Sequence, residues 1–233
     1  MAVCVWNVKP APIPNAPLPN RASRVKALSP RSDVAGVVLA GGLGRRMGRD
    51  KTGLRLREGE ADFISRAAAL LARVVVDVRV GCRADQAERA ARAGRPLTPD
   101  LTPGGGVLCA VQSCLRHLER PCLVIPCDMP FLTEGVLLAL LAARDEGLAA
   151  GCPPGVTLFR RAETGRLEPM VAVYEPAGLP FLDAASARGD YGLFRALPPE
   201  RRIYLDYDEK DDWMFYNVNT PADLEAARRA RLP

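Results

Sequence analysis

Apolar positions along this chain form short unbroken runs that alternate with longer stretches of helical period. The run AGVVLA, Ala35 to Ala40, is apolar and β-branched with no polar interruption. A strand covered on both faces has this texture, because neither side meets water. Glycines and a basic loop follow, and Phe63 to Ala72 then repeats apolar residues at helical spacing. The segment VVVDVRVG, Val74 to Gly81, predicts a second strand, and Gln86 to Ala93 a short helix. Gly106 to Glu119 predicts a helix after a Pro-Gly turn, and Cys122 to Ile125 a buried strand ending at PCDMP. Glu134 to Glu146 is helical, Pro169 to Tyr174 a strand, Leu179 to Ala187 a helix and Arg202 to Asp206 an edge strand. The chain ends in a predicted helix, Pro221 to Arg231, with Pro in its first turn and Arg in its last.

Strands alternating with helices imply an α/β fold with a mostly parallel sheet and helices on both faces. Ligands in such folds bind beyond the carboxyl ends of the strands. The loops after Ala40, after Ile125 and after Asp206 are therefore the places to look for chemistry. Residues 1 to about 32 lack this texture. Their stretch KPAPIPNAPLPN is rich in Pro and Asn and has no amphipathic period. It reads as a flexible tail, or as residues ahead of a mis-assigned start. Residues 33–233 read as one domain.

Composition narrows the function classes. Hydrophobic residues make up 48% and charged residues 25%, ordinary for a globular protein. The longest apolar runs, Val34 to Leu43 and Val136 to Ala143, are too short to span a bilayer, and no secretory signal is expected. The formal charge is +5, with Arg far outnumbering Lys. That balance is either a solvated surface or an attraction for anionic substrates such as nucleotides. No basic run interleaved with aromatics points to nucleic acid. Seven cysteines are present, with no CxxC pair, and His117 is the single histidine, so a structural zinc site is not expected. Free thiols in apolar contexts suit a reducing cytoplasm.

Four stretches carry candidate chemistry. LAGGLGRRMGRDK, Leu39 to Lys51, runs from a buried strand into Gly41, Gly42, Gly44 and Gly48, with Arg45, Arg46 and Lys51 supplying positive charge. Glycines admit backbone N–H groups close to a polyphosphate, and the cations suit phosphate oxygens and a pyrophosphate leaving group. The alternative is a tight strand-to-helix turn with solvated arginines. PCDMPF, Pro126 to Phe131, presents Asp128 between prolines at a strand end, where a hard oxygen ligand suits Mg²⁺. The alternative there is a turn cap without metal. NVNTPADL places Asn217, Asn219 and Thr220 before Pro221. Thr220 or Asn219 reads as a helix N-cap, and the doubled Asn suggests a further polar or metal-linked role. LTPDLTPGGGVLCAV puts Asp100 in a turn and Gly104 to Gly106 before a helix. This is either a flexible connection or a place where backbone closely approaches a base or ribose.

Together these motifs, in this order and spacing from Val34 onward, resemble the molybdenum cofactor guanylyltransferase family. The resemblance implies a Rossmann-like nucleotidyltransferase fold. It implies transfer of GMP from GTP to the terminal phosphate of the molybdopterin cofactor, with Mg²⁺, release of pyrophosphate and formation of molybdopterin guanine dinucleotide. Carried over, Leu39, Ala40, Gly41 and Gly42 line the guanine nucleotide, and Gly48 shapes the loop. Arg46 and Lys51 contact phosphates, Asp100 contacts the nucleotide, and Asp128 binds nucleotide and Mg²⁺. Asn217 and Asn219 lie near the pterin or metal side. Arg46, Lys51 and Asp128 would be catalytic. Contact with molybdoenzymes or cofactor-assembly proteins is implied by the resemblance alone.

The chain departs from the family pattern in three places. A GPLAG-like turn reads TPGGG here, so Thr102 replaces the leading Gly. The polar residue after the second strand aligns near Val80. A late basic position aligns near Tyr191-Gly192, with Arg188 or Arg195 as possible substitutes. Two other readings stay open: a CTP-dependent molybdopterin or sugar-phosphate nucleotidyltransferase of the same fold, and a non-catalytic nucleotide- or cofactor-binding protein.

Overall fold

The computed structural model describes residues 29–42, 47–48, 50–102, 104–151 and 154–230. Residues 1–28 of the expected tail, and Arg46 in the glycine loop, lie outside the described residues. The elements are β1 (Ala35–Leu39), α1 (Phe63–Leu71), β2 (Val78–Cys82), α2 (Glu88–Ala93), β3 (Leu97–Pro99), α3 (Gly106–Leu118), β4 (Cys122–Pro126), α4 (Glu134–Ala149), β5 (Val156–Arg161), β6 (Leu167–Tyr174), α5 (Leu179–Ala187), α6 (Leu193–Ala196), β7 (Arg202–Tyr207) and α7 (Pro221–Arg229). The strands form one seven-stranded sheet in the order β3-β2-β1-β4-β6-β5-β7. All neighbours are parallel except β6, which runs antiparallel to both β4 and β5. Among the described residues no helix is long and apolar enough to cross a membrane.

The unbroken apolar runs of β1 and β4 have a direct structural cause. Val38 and Ala40 of the first, and Leu123 and Ile125 of the second, pack on one face with Ile64, Leu71, Leu137 and Leu140 of α1 and α4. Val37, Leu39, Cys122 and Val124 pack on the other face with Leu108, Val111 and Leu115 of α3 and Leu182 of α5. Successive side chains point to opposite faces, so a strand with helices on both sides must be apolar at every position. A third cluster joins Met47, Leu54, Phe63 and Phe131 to Val218, Leu224 and Ala227, seating α7 against the loops that follow β1 and β4.

One strand prediction shifts, and two strands are added. The segment beginning at Val74 does not enter β2 until Val78, because Val74 and Val75 close the end of α1 through backbone bonds to the Leu71 carbonyl at 2.9 and 3.0 Å. Val75 instead pairs with Arg31 in an isolated bridge, so pairing begins within the segment expected to be tail. The short strands β3 and β5 are additional to those the apolar pattern predicts. β3 is a three-residue edge strand ending in proline, and such a strand carries no readable alternation. The predicted edge strand at Arg202 is β7, at the far edge of the sheet.

Candidate active site

The carboxyl ends of β1, β2, β3 and β4 open into one cleft of about 520 Å³. It brings together Leu39, Ala40, Gly41, Gly42, Lys51, Asp100 and Asp128, seven of the residues singled out in the sequence. Gly48 lies outside its lining. It holds φ +70°, a left-handed conformation that favours glycine, between the buried Met47 and the loop back to Lys51.

The glycine loop begins where Ala40 donates its N–H to the Gly81 carbonyl at 2.8 Å. A Cβ on Gly41 would stand 3.3 Å from Asp100 Oδ2, tighter than ordinary packing, whereas one on Gly42 would meet nothing within 4 Å. The loop carbonyls are tied down by a residue the sequence does not announce. Arg89 of α2 is buried, and its Nη1 donates to the Ala40 carbonyl and, at 3.0 Å, to that of Gly42. Its Nη2 lies 3.2 Å from Asp50 Oδ1. Asp50 also accepts from the Thr52 amide at 3.1 Å and hydroxyl at 2.7 Å, and lies 3.3 Å from Arg92. Burial alone pushes the Asp50 carboxyl up, but Thr52, Arg89 and Arg92 outweigh it and hold the group below the usual range. Only the sheet order, which sets the helix after β2 beside the end of β1, reveals that Arg89 caps this loop.

Asp128 follows β4 and meets two residues distant in sequence. Lys51 Nζ donates to Asp128 Oδ2 at 3.2 Å and to Asn219 Oδ1 at 2.5 Å. The Val218 amide donates to the Asp128 carbonyl at 2.9 Å, so the C-terminal motif is stitched to the Asp128 loop. Asn219 is oriented from its own side. Asp223 accepts from the Asn219 and Thr220 amides at 2.9 and 2.8 Å, and Thr220 caps α7. The cap is therefore Thr220, which leaves the Asn219 side chain for Lys51. Asn217 does not line the cleft, and its Oδ1 is buried with no hydrogen-bond partner among the described residues.

Desolvation raises the Asp128 carboxyl above the usual range, and Lys51 only partly offsets it. Desolvation also raises Asp100, partly offset by Arg83. Two under-compensated carboxylates in one cleft favour an added cation. The described residues contain no cluster of three or more acidic, His or Cys groups able to cage a metal alone. Mg²⁺ fits such a setting, because it is held by one or two carboxylates and completes its shell with water and substrate phosphates.

The opposite end of the cleft is lined by Gly81, Arg83, Asp100, Thr102, Gly104, Gly106 and Val107. Gly104 and Gly106 hold φ of +92° and +68°. Gly105 has a packing reason, since a Cβ there would overlap Cys109 Sγ at 2.1 Å. The departure assigned to Val80 is displaced: Val80 is wholly buried in the core, and Arg83 is the polar side chain that enters the cleft from the end of β2. Neither Tyr191-Gly192 nor Arg195 lines this cleft, and Arg195 is paired with Asp190 at 2.7 Å.

Residues 36–203 match the model of the MobA-like NTP transferase domain. The chain is 31% identical over 199 residues to a probable molybdenum cofactor guanylyltransferase of Pelotomaculum thermopropionicum, covering 83% of this chain and 91% of that protein. It is 32% identical over 206 residues to a protein of the same description from Natronomonas pharaonis, covering 83% and 96%. Among solved structures it is similar to molybdopterin-guanine dinucleotide biosynthesis protein A from Archaeoglobus fulgidus. That match has a TM-score of 0.66 at 29% identity and covers 83% of this chain and 96% of the other.

Proposed function

The chain belongs to the family of MobA-like NTP transferases, and from that membership we propose that it transfers GMP from GTP to the terminal phosphate of the Mo-molybdopterin cofactor, releasing pyrophosphate. The observation that carries this reading is the single cleft in which the glycine loop after β1, Asp128 after β4 and Lys51 meet.

The reaction forms one P–O bond and breaks another. An oxygen of the acceptor phosphate attacks the α-phosphorus of the nucleotide, and the bond to the β-phosphate bridging oxygen breaks. The acceptor phosphate is already anionic near neutral pH, so no strong general base is needed, and no histidine lines the cleft. The residues contribute position and charge. The Gly41–Gly42 backbone receives the polyphosphate on a loop that Arg89 fixes, and Lys51 neutralises charge building on the departing pyrophosphate. Arg46 belongs to the same proposal as a second phosphate contact. Asn219 holds the Lys51 ammonium in place. Mg²⁺, when bound at Asp128, supplies Lewis-acid stabilisation of the phosphate oxygens. Asn217, its Oδ1 buried away from the cleft, is given no substrate contact in this reading.

Five described cysteines are free and buried, in keeping with work in a reducing cytoplasm. Residues 33–233 act in this reading as one nucleotidyltransferase domain. The test is pyrophosphate release with Mg²⁺ and loaded cofactor across a nucleotide panel. Release with GTP, absent with CTP and absent without cofactor, is expected. Nucleotide binding without any release would overturn the transferase reading for this chain.

A further inference from the structure

We propose that Arg83 reads the base of the bound nucleotide through the guanidinium end that Asp85 leaves open, selecting guanine over cytosine. The proposal rests on the nucleotidyl-transfer reading above and adds the residue that fixes the base.

The sheet order sets the direction of the nucleotide. Lys51 and Asp128 stand at the β4 side of the cleft, and Arg83 and Asp100 at the ends of β2 and β3. From β4 through β1 and β2 to β3 there are three strand spacings, about 14 Å in all. Triphosphate held beside Lys51 and the glycine loop therefore directs the nucleoside toward Arg83 and Asp100.

The side chain of Arg83 is already oriented. Its Nε and Nη2 donate to the two oxygens of Asp85, each at 2.9 Å. This two-point contact uses one edge of the planar guanidinium and fixes its plane. The remaining end, formed by Nη1 and the second Nη2 hydrogen, makes no bond to the described residues. It offers two parallel donors, the geometry that matches O6 and N7 of guanine. At the neighbouring strand end, no described side chain or amide donates to the Asp100 carboxylate, which leaves it open to N–H donors.

A fork of donors beside a free carboxylate complements the guanine edge, which presents acceptors at O6 and N7 next to donors at N1 and N2. Cytosine presents a single amino donor beside two acceptors and has no counterpart to N7. Bound in the same place it would leave one donor of Arg83 and one oxygen of Asp100 unsatisfied, and unpaired groups in a partly buried site discriminate strongly.

Titration calorimetry with Mg²⁺ tests this on the full chain with GTP, 7-deaza-GTP and CTP. The wild-type protein should bind GTP about tenfold or more tighter than 7-deaza-GTP, which lacks only the N7 acceptor. Arg83→Ala should weaken GTP about ten- to a hundredfold, leave CTP unchanged and abolish the difference between GTP and 7-deaza-GTP. The analogue comparison needs no variant, so it stands even if Arg83→Ala folds poorly. Equal weakening of GTP and CTP would mean that Arg83 holds phosphate or ribose and would overturn the proposal. So would unchanged GTP affinity, or equal wild-type binding of GTP and 7-deaza-GTP. A wild-type protein that prefers CTP would overturn the guanylyl assignment itself, whatever Arg83→Ala does.

Discussion

Lys51 Nζ lies 3.2 Å from Asp128 Oδ2, closing a contact between residues 77 positions apart in sequence. The contact joins the return of the glycine loop to the end of β4, and it leaves Asp128 still raised above the usual carboxylate range by burial. A carboxylate so placed gains most from a divalent cation. Asp128→Ala should cut turnover at least about a hundredfold. The backbone carbonyl that receives the Val218 amide survives this change, so the melting temperature should stay close to that of the parent. Mg²⁺-dependent pyrophosphate release at the parental rate would refute the assignment of Asp128.

Arg89 is the clearest test of a residue acting through the glycine loop. Arg89→Met removes the donors to Ala40 and Gly42 and leaves Asp50 with less opposing charge. A buried cation lost from such a network costs about 2–5 kcal/mol. The loop that receives phosphate should loosen as well. We expect a lower melting temperature together with a higher KM for nucleotide, with kcat changed less. A change in stability with KM untouched would show that Arg89 supports the fold alone.

Much of this cleft is legible in the sequence. Ala35 to Leu39 and Cys122 to Pro126 are apolar throughout because helices cover both faces, so the two strand ends that matter stood out. Gly41 and Asp128 follow those ends directly. Arg89 and Arg83 were not readable. On a short polar helix Arg89 looks like a solvated charge, and only the pairing of β2 beside β1 turns it toward the loop. The family pattern aligns its polar position near Val80, which lies inside the core, and Arg83, three residues on, is the side chain at the cleft. β5 was also missed: its apolar half is buried against β6 and β7, while its far end carries the paired arginines Arg160 and Arg161.

The buried pair of Arg144 on α4 and Glu175 after β6 should be a strong determinant of stability. Arg144 Nε lies 2.5 Å from Glu175 Oε1 and Nη1 lies 3.2 Å from Asp33, joining α4, the end of β6 and the approach to β1. Both partners of the Arg144–Glu175 pair are less than a tenth exposed. Arg144→Met would strand the Glu175 carboxylate, at a cost of about 3–5 kcal/mol. Urea unfolding should show this as a lower midpoint. A paired Arg144→Met, Glu175→Leu variant should recover much of the loss, because two apolar groups replace two charges. Failure of the double variant to recover would locate the cost in packing rather than in the stranded charge.

Asp50 gives the pH test of the glycine-loop network. Its folded carboxyl lies below the ordinary value of 3.8, because the Thr52 hydroxyl and amide, with Arg89 and Arg92, overcome the opposing effect of burial. The unfolded chain therefore takes up its proton first as pH falls. The stabilisation is complete above the unfolded value and drains away as pH drops through the folded one. The side chain is about a third exposed, so solvent screening keeps the effect modest, about 0.5–1 kcal/mol. Asp50→Asn should lower the urea midpoint at neutral pH, and the gap between variant and parent should close below about pH 4. An amide keeps the side chain's shape but not its charge. A gap that stayed constant down to about pH 2.5 would therefore assign the stabilisation to hydrogen-bond geometry instead of the ionised carboxylate.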